Sequence, residues 1–332
     1  MKITRRRLLS VLGSLGMFGA LGSLPAVRAS GLGDWPRKQP IKLIMPHAPG
    51  GPTDVVARAL AARVGELIGQ SIVVENRVGA AGNIATNYVS RADPDGYTVL
   101  YQTSGLAIMP ALFKDLPYDP LESFAPVAMP AEINLILLVR NTLPVTDMAS
   151  FIQYLKENPG KLSYGSGGRG NITHLAVEVL LQSLGTTAVH VPYKGTAPSM
   201  TDLLGGQIDF MLDAVNTAAP FVESGRVRAL AVTGAERSSL FPQLPTVAES
   251  GVENYAMSTW QCLLFPAKTP DAIVQALNHA VNEALEDEAM RKKFAAAGVQ
   301  LQKSTPAQLE ERLRADIPAW IKVAQAAGIQ PD

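Results

Sequence analysis

Residues 161–180, with the sequence KLSYGSGGRGNITHLAVEVL, contain the unit that decides the fold. The short run 161–164 predicts a β-strand, and the glycine-rich segment 165–171 predicts a loop after it. Beyond the loop, apolar residues at positions 172, 175, 176, 179 and 180 repeat at the spacing of one helix face. A strand, a glycine-rich loop and a helix in this order are typical of an α/β fold.

The same order of segments recurs on both sides of this unit. Strands are also predicted at 41–45, 71–74, 97–101, 133–139, 188–191, 208–212, 227–232 and 259–265. Helices are predicted from an N-cap at Thr53 to Gly69, and at 83–91, 148–155, 200–204, 271–285 and 306–326. Because strands that alternate with helices form sheets covered on both faces, we expect an α/β protein with mostly parallel sheets flanked by helices.

The strands and helices fall into two blocks, which predicts two lobes. The chain crosses between them near 134–140 and 255–261, so the C-terminal segment completes the first lobe. We therefore expect lobe 1 at 30–135 plus 258–332, and lobe 2 at 136–257. The length of 332 residues agrees with two domains of roughly 100 to 200 residues each.

The first 29 residues have the composition of an export signal. A basic head that contains Arg5, Arg6 and Arg7 precedes the uncharged, glycine-diluted stretch 8–27, and small residues follow. This pattern predicts cleavage between Ala29 and Ser30. The paired arginines favour the twin-arginine route, with an ordinary secretory signal or an uncleaved anchor as alternatives.

Composition excludes several classes of protein. Hydrophobic residues make up 47% of the chain and charged residues 17%, which argues against disorder. With 29 basic and 29 acidic residues the chain lacks the basic surplus of nucleic-acid-binding proteins. The single cysteine, Cys262, allows no intramolecular disulfide, and the histidines show no metal-ligand spacing. We expect neither a metal nor a cofactor.

Three loops that follow strands and precede helices, at 46–54, 165–173 and 192–198, are candidates for anion binding. In open α/β sheets, ligands bind at the carboxyl ends of the strands, where backbone N–H groups and helix N-termini favour negative charge. The second and third loops each carry one cation, Arg169 and Lys194. These side chains either are solvated surface charges or attract an anion into the cleft.

Two enzyme classes compete with a binding role. The segment 165–170 matches G-x-G-x-x-G, but no acid follows about 20 residues later as a dinucleotide site requires, although Lys194 offers a partner for a 2′-phosphate. Ser166, His174 and Asp213 form a possible hydrolase triad, but Tyr164 replaces the first glycine of a nucleophile elbow. An NADP-dependent oxidoreductase and a serine hydrolase therefore remain the alternatives.

Short motifs occur along nearly the whole chain after the predicted export signal. In these motifs the chain resembles the extracytoplasmic solute receptors of tripartite tricarboxylate transporters, the Bug-type receptors. These motifs include PGGPTD at 49–54, PDGY at 94–97, LPYDP at 116–120, YGSG at 164–167, VPYKG at 191–195, DLLGG at 202–206 and PTVAESG at 245–251. The resemblance implies a two-lobed periplasmic binding protein of type II-like architecture. Such a protein is not an enzyme and traps a small carboxylate between its lobes.

The resemblance also implies a set of ligand-binding residues. These are His47, Gly50, Gly51, Thr53, Asp54, Thr103, Ser104, Ser166, Gly167, Asn171, Thr173, His174, Lys194, Gly195, Thr196, Asp213 and Asn216. At position 47 the family usually has an aromatic residue, and at position 171 it usually has serine. These two differences change the expected pocket and prevent transfer of a ligand from any one relative.

The resulting hypothesis is a periplasmic receptor that captures a di-, tri- or aromatic carboxylate. It would deliver this ligand to the membrane permease subunits of its transporter. We expect a monomer that binds no nucleic acid.

Overall fold

The computed structural model describes residues 32–47 and 49–331, so the predicted export signal lies outside the described residues. The strands are β1 Ile41–Met45, β2 Ile72–Asn76, β3 Thr98–Thr103, β4 Phe124–Val139, β5 Ser163–Ser166, β6 Val189–Pro192, β7 Phe210–Ala214, β8 Arg228–Val232, β9 Ser258–Pro266 and β10 Val299–Leu301. The helices are α1 Pro52–Ile68, α2 Asn83–Ser90, α3 Gly105–Leu112, α4 Met148–Glu157, α5 Ile172–Leu184, α6 Thr196–Leu204, α7 Val215–Glu223, α8 Asp271–Ala284, α9 Glu288–Ala295 and α10 Pro306–Ala326.

The strands form one mixed sheet in the order β2-β1-β3-β9-β4-β7-β5-β6, and β8 and β10 also pair with β4. The pairs at the two ends of the sheet, β1 with β2 and β3, and β5 with β6 and β7, are parallel. Every pair that involves β4 or β9 is antiparallel. The predicted α/β fold with flanking helices is confirmed. The sheet is mixed where mostly parallel sheets were expected, because the two long central strands form antiparallel pairs.

Strand β4 changes partners in the middle of its length. Asn134 pairs with Ser258 of β9, and the next residue, Leu135, pairs with Ala214 of β7. We call β1, β2, β3, β9, β10 and the part of β4 up to Asn134 the first half of the sheet. The second half contains β5 to β8 and the rest of β4. This change of partners lies beside the predicted lobe boundaries, which remain a prediction.

Both faces of the first half are covered by helices. Leu43 and Val99 pack on one face with α1 and α8, whereas their neighbours Ile44 and Leu100 pack on the other with α2, α3 and α10. Successive side chains of a strand point to opposite faces. Because both faces are covered by helices, both residues of each consecutive pair, 43 with 44 and 99 with 100, are apolar. None of the described helices has the length and apolar character needed to cross a membrane.

Helix α1 begins earlier than the sequence predicted. Its N-cap is Gly51, not Thr53, and Pro52 is its first residue. Proline suits this position because the first helical N–H has no intrahelical partner and the φ of proline is already helical. Asp54 lies in the first turn, and Gly69 ends the helix with a φ of 67°, both as predicted.

Candidate functional site

A cavity of about 460 Å³ lies between the two halves of the sheet, at the ends of β1, β3 and β5. The first half contributes Pro46, His47, Val78, Gly79, Ala81, Gly82, Gln102, Thr103, Ser104, Gly105, Ile108, Met109, Leu112 and Thr259. The second half contributes the continuous segment 167–172. This arrangement brings two of the three predicted loops, those after β1 and β5, to one site.

Five predicted site residues line the cavity. They are His47, Thr103, Ser104, Gly167 and Asn171. His47 is half-buried, and its Nε2 atom has no hydrogen-bond partner among the described residues. Burial lowers the pKa of this imidazole, an effect that the side chain of Gln102 partly opposes. The neutral ring can therefore offer one hydrogen bond to a ligand.

Asp54 organises the first loop and does not line the cavity. Its buried carboxylate accepts hydrogen bonds from Gly50 N–H at 2.9 Å, Arg58 Nε at 2.7 Å and Asn76 Nδ2 at 2.9 Å. Asn76 Nδ2 also donates to the carbonyl oxygen of His47 at 2.8 Å. The hydrogen bond from Arg58 is the main reason that the pKa of Asp54 falls to about 2. The remaining predicted residues of this loop, Gly50, Gly51 and Thr53, also lie outside the lining.

The hydroxyl groups predicted in the second loop are used inside the loop. Thr173 Oγ1 accepts from Gly167 N–H at 2.9 Å and donates to Asn171 Oδ1 at 3.0 Å. Ser166 is fully buried, and its Oγ accepts from Gly168 N–H at 3.1 Å and lies 2.7 Å from His190 Nε2. Neither hydroxyl lines the cavity, so both act on the loop conformation.

His174 lies behind the same loop. It is 3% exposed, and its Nδ1 accepts a hydrogen bond from Gly170 N–H at 3.1 Å. Burial is the main reason that the pKa of His174 falls to about 3. The ring is therefore neutral at pH 7, as its acceptor role requires.

The remaining predicted residues lie away from the cavity. Lys194 is exposed, and Gly195 N–H donates to the carbonyl oxygen of Gly167 at 3.2 Å. Thr196 and Asp213 line a different cavity of about 650 Å³, formed mainly by α6 and α7. Burial raises the pKa of Asp213. Asn216 is absent from both linings, and its Oδ1 is buried without a partner among the described residues.

The sequence prediction missed one wall of the cavity. Ile108, Met109 and Leu112 of α3 form an apolar surface together with Val78 and Ile172. Helix α3 was not predicted because residues 106–112 are almost continuously apolar and show no helical periodicity. The uninterrupted apolar character of this segment, directly after a polar strand end, was the signal available in the sequence.

The electrostatics of the lining favour an anion. Arg169 is its only Lys or Arg, no Asp or Glu belongs to it, and within residues 32–47 and 49–331 no carboxylate lies within 4.0 Å of this guanidinium. The N–H groups of Arg169 and Ile172 have no hydrogen-bond partner in the described chain. Ile172 is the first residue of the 13-residue helix α5, whose N-terminus adds partial positive charge.

The family model for the tripartite tricarboxylate transporter family receptor matches residues 56–329 of this chain. The chain belongs to this family. Members are periplasmic receptors that work with the membrane permeases of tripartite transporters, and the family is not enzymatic. The resemblance to Bug-type receptors that the sequence motifs indicated is confirmed.

Several known proteins are similar to this receptor. Protein BugT of Bordetella pertussis is 35% identical over 87% of the chain and 90% of its own length. The structure of R. palustris Rpa4515 with adipate is 37% identical, with a TM-score of 0.77 over 90% of this chain and 100% of that one. MatC from Rhodopseudomonas palustris with bound malate is 32% identical, with a TM-score of 0.71 over 86% and 99% of the two chains.

The site geometry agrees with a receptor and not with the enzyme alternatives. Ser166 Oγ lies against His190, not His174, and Asp213 lines the other cavity, so the hydrolase triad is not assembled. The match to G-x-G-x-x-G lies in the loop after β5, where its glycines shape the second loop. Within the described chain, no cluster of three or more His, Cys, Asp or Glu side chains is arranged to hold a metal ion.

Proposed function

We propose that this receptor binds a small carboxylate with an apolar chain or ring in the cavity of about 460 Å³. The observation that carries the proposal is the contrast between the two sides of the lining. On one side lie Arg169 and the N-terminus of α5, and on the other lies the apolar surface of α3.

The carboxylate would bind at the second loop. The N–H groups of Arg169 and Ile172 supply two donors, the Arg169 guanidinium supplies a countercharge, and the helix N-terminus adds to both. The Ser166 hydroxyl and the Gly167 N–H belong to residues that the resemblance placed in the ligand site. In the structure these groups bond within the loop, so the proposed donors are their neighbours.

The apolar wall restricts the rest of the ligand. A tricarboxylate such as citrate would place a charged group against the apolar side chains of Ile108, Met109 or Leu112, which do not compensate for lost hydration. A chain of methylene groups or an aromatic ring would bury apolar area there instead, at about 25 cal/mol per Å². His47 would then bind a second polar group of the ligand, if one is present.

A thermal-shift series tests this ligand class. We expect adipate, hexanoate or benzoate to stabilise the receptor more than malate or citrate does. A ligand at about 100 times its dissociation constant adds about 2.7 kcal/mol to the free energy of unfolding. Stabilisation by citrate alone would show that the ligand class is wrong. If none of the five carboxylates stabilises the protein, the carboxylate proposal itself fails.

The proposal also covers the two lobes, the oligomeric state and the export of the receptor. We propose that lobes 30–135 plus 258–332 and 136–257 close on the ligand, and that the receptor acts as a monomer. Cleavage between Ala29 and Ser30 would release it into the periplasm. Mass spectrometry of the exported protein tests the cleavage site, and analytical ultracentrifugation tests the monomer. Replacement of Arg5 and Arg6 by lysine would stop export by the twin-arginine route.

A further inference from the structure

Two histidines are stacked behind the second loop, outside the cavity lining. The ring centroids of His174 and His190 are 3.8 Å apart, with an angle of 10° between the ring planes. Tyr164 stacks with His190 at 4.9 Å and donates a hydrogen bond to the Glu178 carboxylate. His190 was not among the predicted site residues.

The two histidines are linked to different glycine amides of the loop, His174 directly and His190 through Ser166. His174 Nδ1 accepts directly from Gly170 N–H at 3.1 Å. His190 Nε2 lies 2.7 Å from Ser166 Oγ, and this oxygen accepts from Gly168 N–H at 3.1 Å. Both glycines have positive φ, 127° for Gly168 and 75° for Gly170. Glycine adopts positive and negative φ about equally readily. Hydrogen bonds are therefore needed to hold these two glycines in one of the conformations open to them.

The residue between these two glycines is Arg169. Its peptide is fixed on both sides, because Gly168 N–H is bound to Ser166 and Gly170 N–H to His174. Its own N–H has no partner among the described residues. The two histidines thus determine the direction in which a free donor points.

The surroundings keep both rings neutral at pH 7. Burial, helped by the charge of Arg169, lowers the pKa of His190 to about 4. Burial also lowers the pKa of His174, to which His190 and Arg169 add. The titratable groups that face the pair are Tyr164, Glu178 and Arg169, and Glu178 Oε1 lies 3.9 Å from His174 Nε2.

We propose that His174 and His190 are positioning residues that hold the Arg169 peptide in the orientation needed to bind a ligand carboxylate. His174 acts through Gly170, and His190 acts through Ser166 and Gly168. The inference rests on the proposed carboxylate site, and it also makes a claim about the unliganded loop that is tested separately.

Paired substitutions separate the hydrogen bonds from the stacking. His190→Phe and His174→Phe keep an aromatic ring and remove the hydrogen-bonding nitrogen atoms. His190→Gln and His174→Asn keep a side-chain group that can bond to Ser166 or Gly170 and cannot take up a proton. His279→Phe is the matched control, because the His279 side chain on α8 is 85% exposed.

The first measurement is amide hydrogen exchange at the loop glycines of the unliganded protein, by NMR with ¹⁵N-glycine. We expect His174→Phe to speed exchange at Gly170 about tenfold, because the hydrogen bond of this amide is lost. We expect a similar increase at Gly168 in His190→Phe, because the Ser166 hydroxyl that binds this amide loses its contact with His190. The Gln and Asn variants should stay within about threefold of wild type, as should the control. Unchanged exchange in the Phe variants, or equal loosening in the Gln and Asn variants, would overturn the inference.

The second measurement is calorimetric titration with adipate. We expect the Phe variants to bind about tenfold more weakly and the Gln and Asn variants to recover most of that loss. Wild-type affinity in the Phe variants, with the exchange effect present, would overturn the role in binding. If wild type binds no carboxylate while the exchange pattern is as expected, the proposed function fails and the control of the loop by the histidines stands.

Discussion

Leu112 of α3 packs against the Cα atom of Gly170 across the cavity, and a Cβ atom at position 170 would lie 2.8 Å from Leu112 Cδ1. This contact joins the first half of the sheet to the second loop. Glycine at position 170 is favoured by its φ of 75°, and a larger residue there would also require the Leu112 side chain to shift.

We expect Gly170→Ala to weaken adipate binding at least tenfold and to destabilise the fold. Gly185→Ala is the matched control, because Gly185 has a φ of 65° and a Cβ atom added there would have no other atom within 4 Å. Both variants suffer the left-handed penalty of roughly 1–2 kcal/mol, but only Gly170→Ala adds the clash. Denaturant unfolding and calorimetric titration measure the two effects. Equal affinities in the two variants would contradict the role of this contact.

We expect Asp54→Asn to destabilise the protein by about 1.5–3 kcal/mol at pH 7, because the carboxylate accepts hydrogen bonds from Arg58, Asn76 and Gly50. The pKa of Asp54 is about 2, below its ordinary value of 3.8. Its contribution is therefore complete above pH 4 and is lost as the pH falls toward 2. Denaturant unfolding at pH 7 and pH 2.5 should show a smaller difference at the lower pH. Asp93→Asn, at an exposed position, is the control.

Much of the fold could be predicted from the sequence because apolar periodicity and glycine positions report local structure directly. The helix α10 Pro306–Ala326 and the strand β1 Ile41–Met45 were predicted with the bounds that the structure has. Helices α7 and α9 and the strand β10 were not predicted. The antiparallel pairs of β4 and β9 depend on contacts between distant segments, which periodicity does not report.

The residues that line the cavity were harder to predict from the sequence than the helices and strands were. Motifs located the second loop, but they could not distinguish groups that face the cavity from groups that hold the loop. Ser166 and Thr173 carry the hydroxyls expected of anion ligands, yet both bond to glycine amides within the loop. Arg169, which the sequence left open as either a solvated charge or an anion-attracting group, is the Lys or Arg residue of the cavity lining.

The stacked histidines predict a specific dependence of stability on pH. The pKa of His174 is about 3 and that of His190 about 4 in the fold, both below the ordinary value of 6.5. Below pH 6.5 the unfolded chain binds protons that the folded protein does not, so the free energy of unfolding falls as the pH decreases from 6.5 toward 4. The double variant His174→Asn/His190→Gln lacks both groups.

We expect wild type to lose about 1 kcal/mol or more beyond the loss in that double variant when the pH changes from 7.5 to 4.5. Denaturant unfolding at the two pH values measures the difference, and the carboxylates of the protein contribute equally to both proteins. Identical pH dependence in wild type and the double variant would show that the histidines are not held neutral.

The two loop cations should behave differently. Both side chains are exposed, but Arg169 lines the cavity and Lys194 lies outside the lining. We expect Arg169→Met to weaken adipate binding at least tenfold at every salt concentration, since hydrogen bonds to charged groups contribute about 1.5–3 kcal/mol. Lys194→Met should change the affinity little at high salt and reduce the association rate at low salt. Calorimetry and stopped-flow kinetics at 20 and 300 mM salt separate the two effects. A larger loss from Lys194→Met at high salt would assign the direct contact to Lys194.

Ligand binding should draw the two halves of the sheet together about the position where β4 changes partners. At this crossing, Thr233 Oγ1 accepts from Leu135 N–H at 2.9 Å, and Met257 N–H donates to the Thr233 carbonyl at 2.8 Å. Small changes in φ and ψ at this crossing can rotate one half of the sheet relative to the other. We expect solution scattering to give a smaller radius of gyration with saturating adipate than without it. Arg169→Met, at an adipate concentration that calorimetry shows to leave this variant unbound, is the control and should keep the unliganded radius. If calorimetry shows adipate bound to wild type while its radius is unchanged, the halves do not close on the ligand and the crossing is rigid.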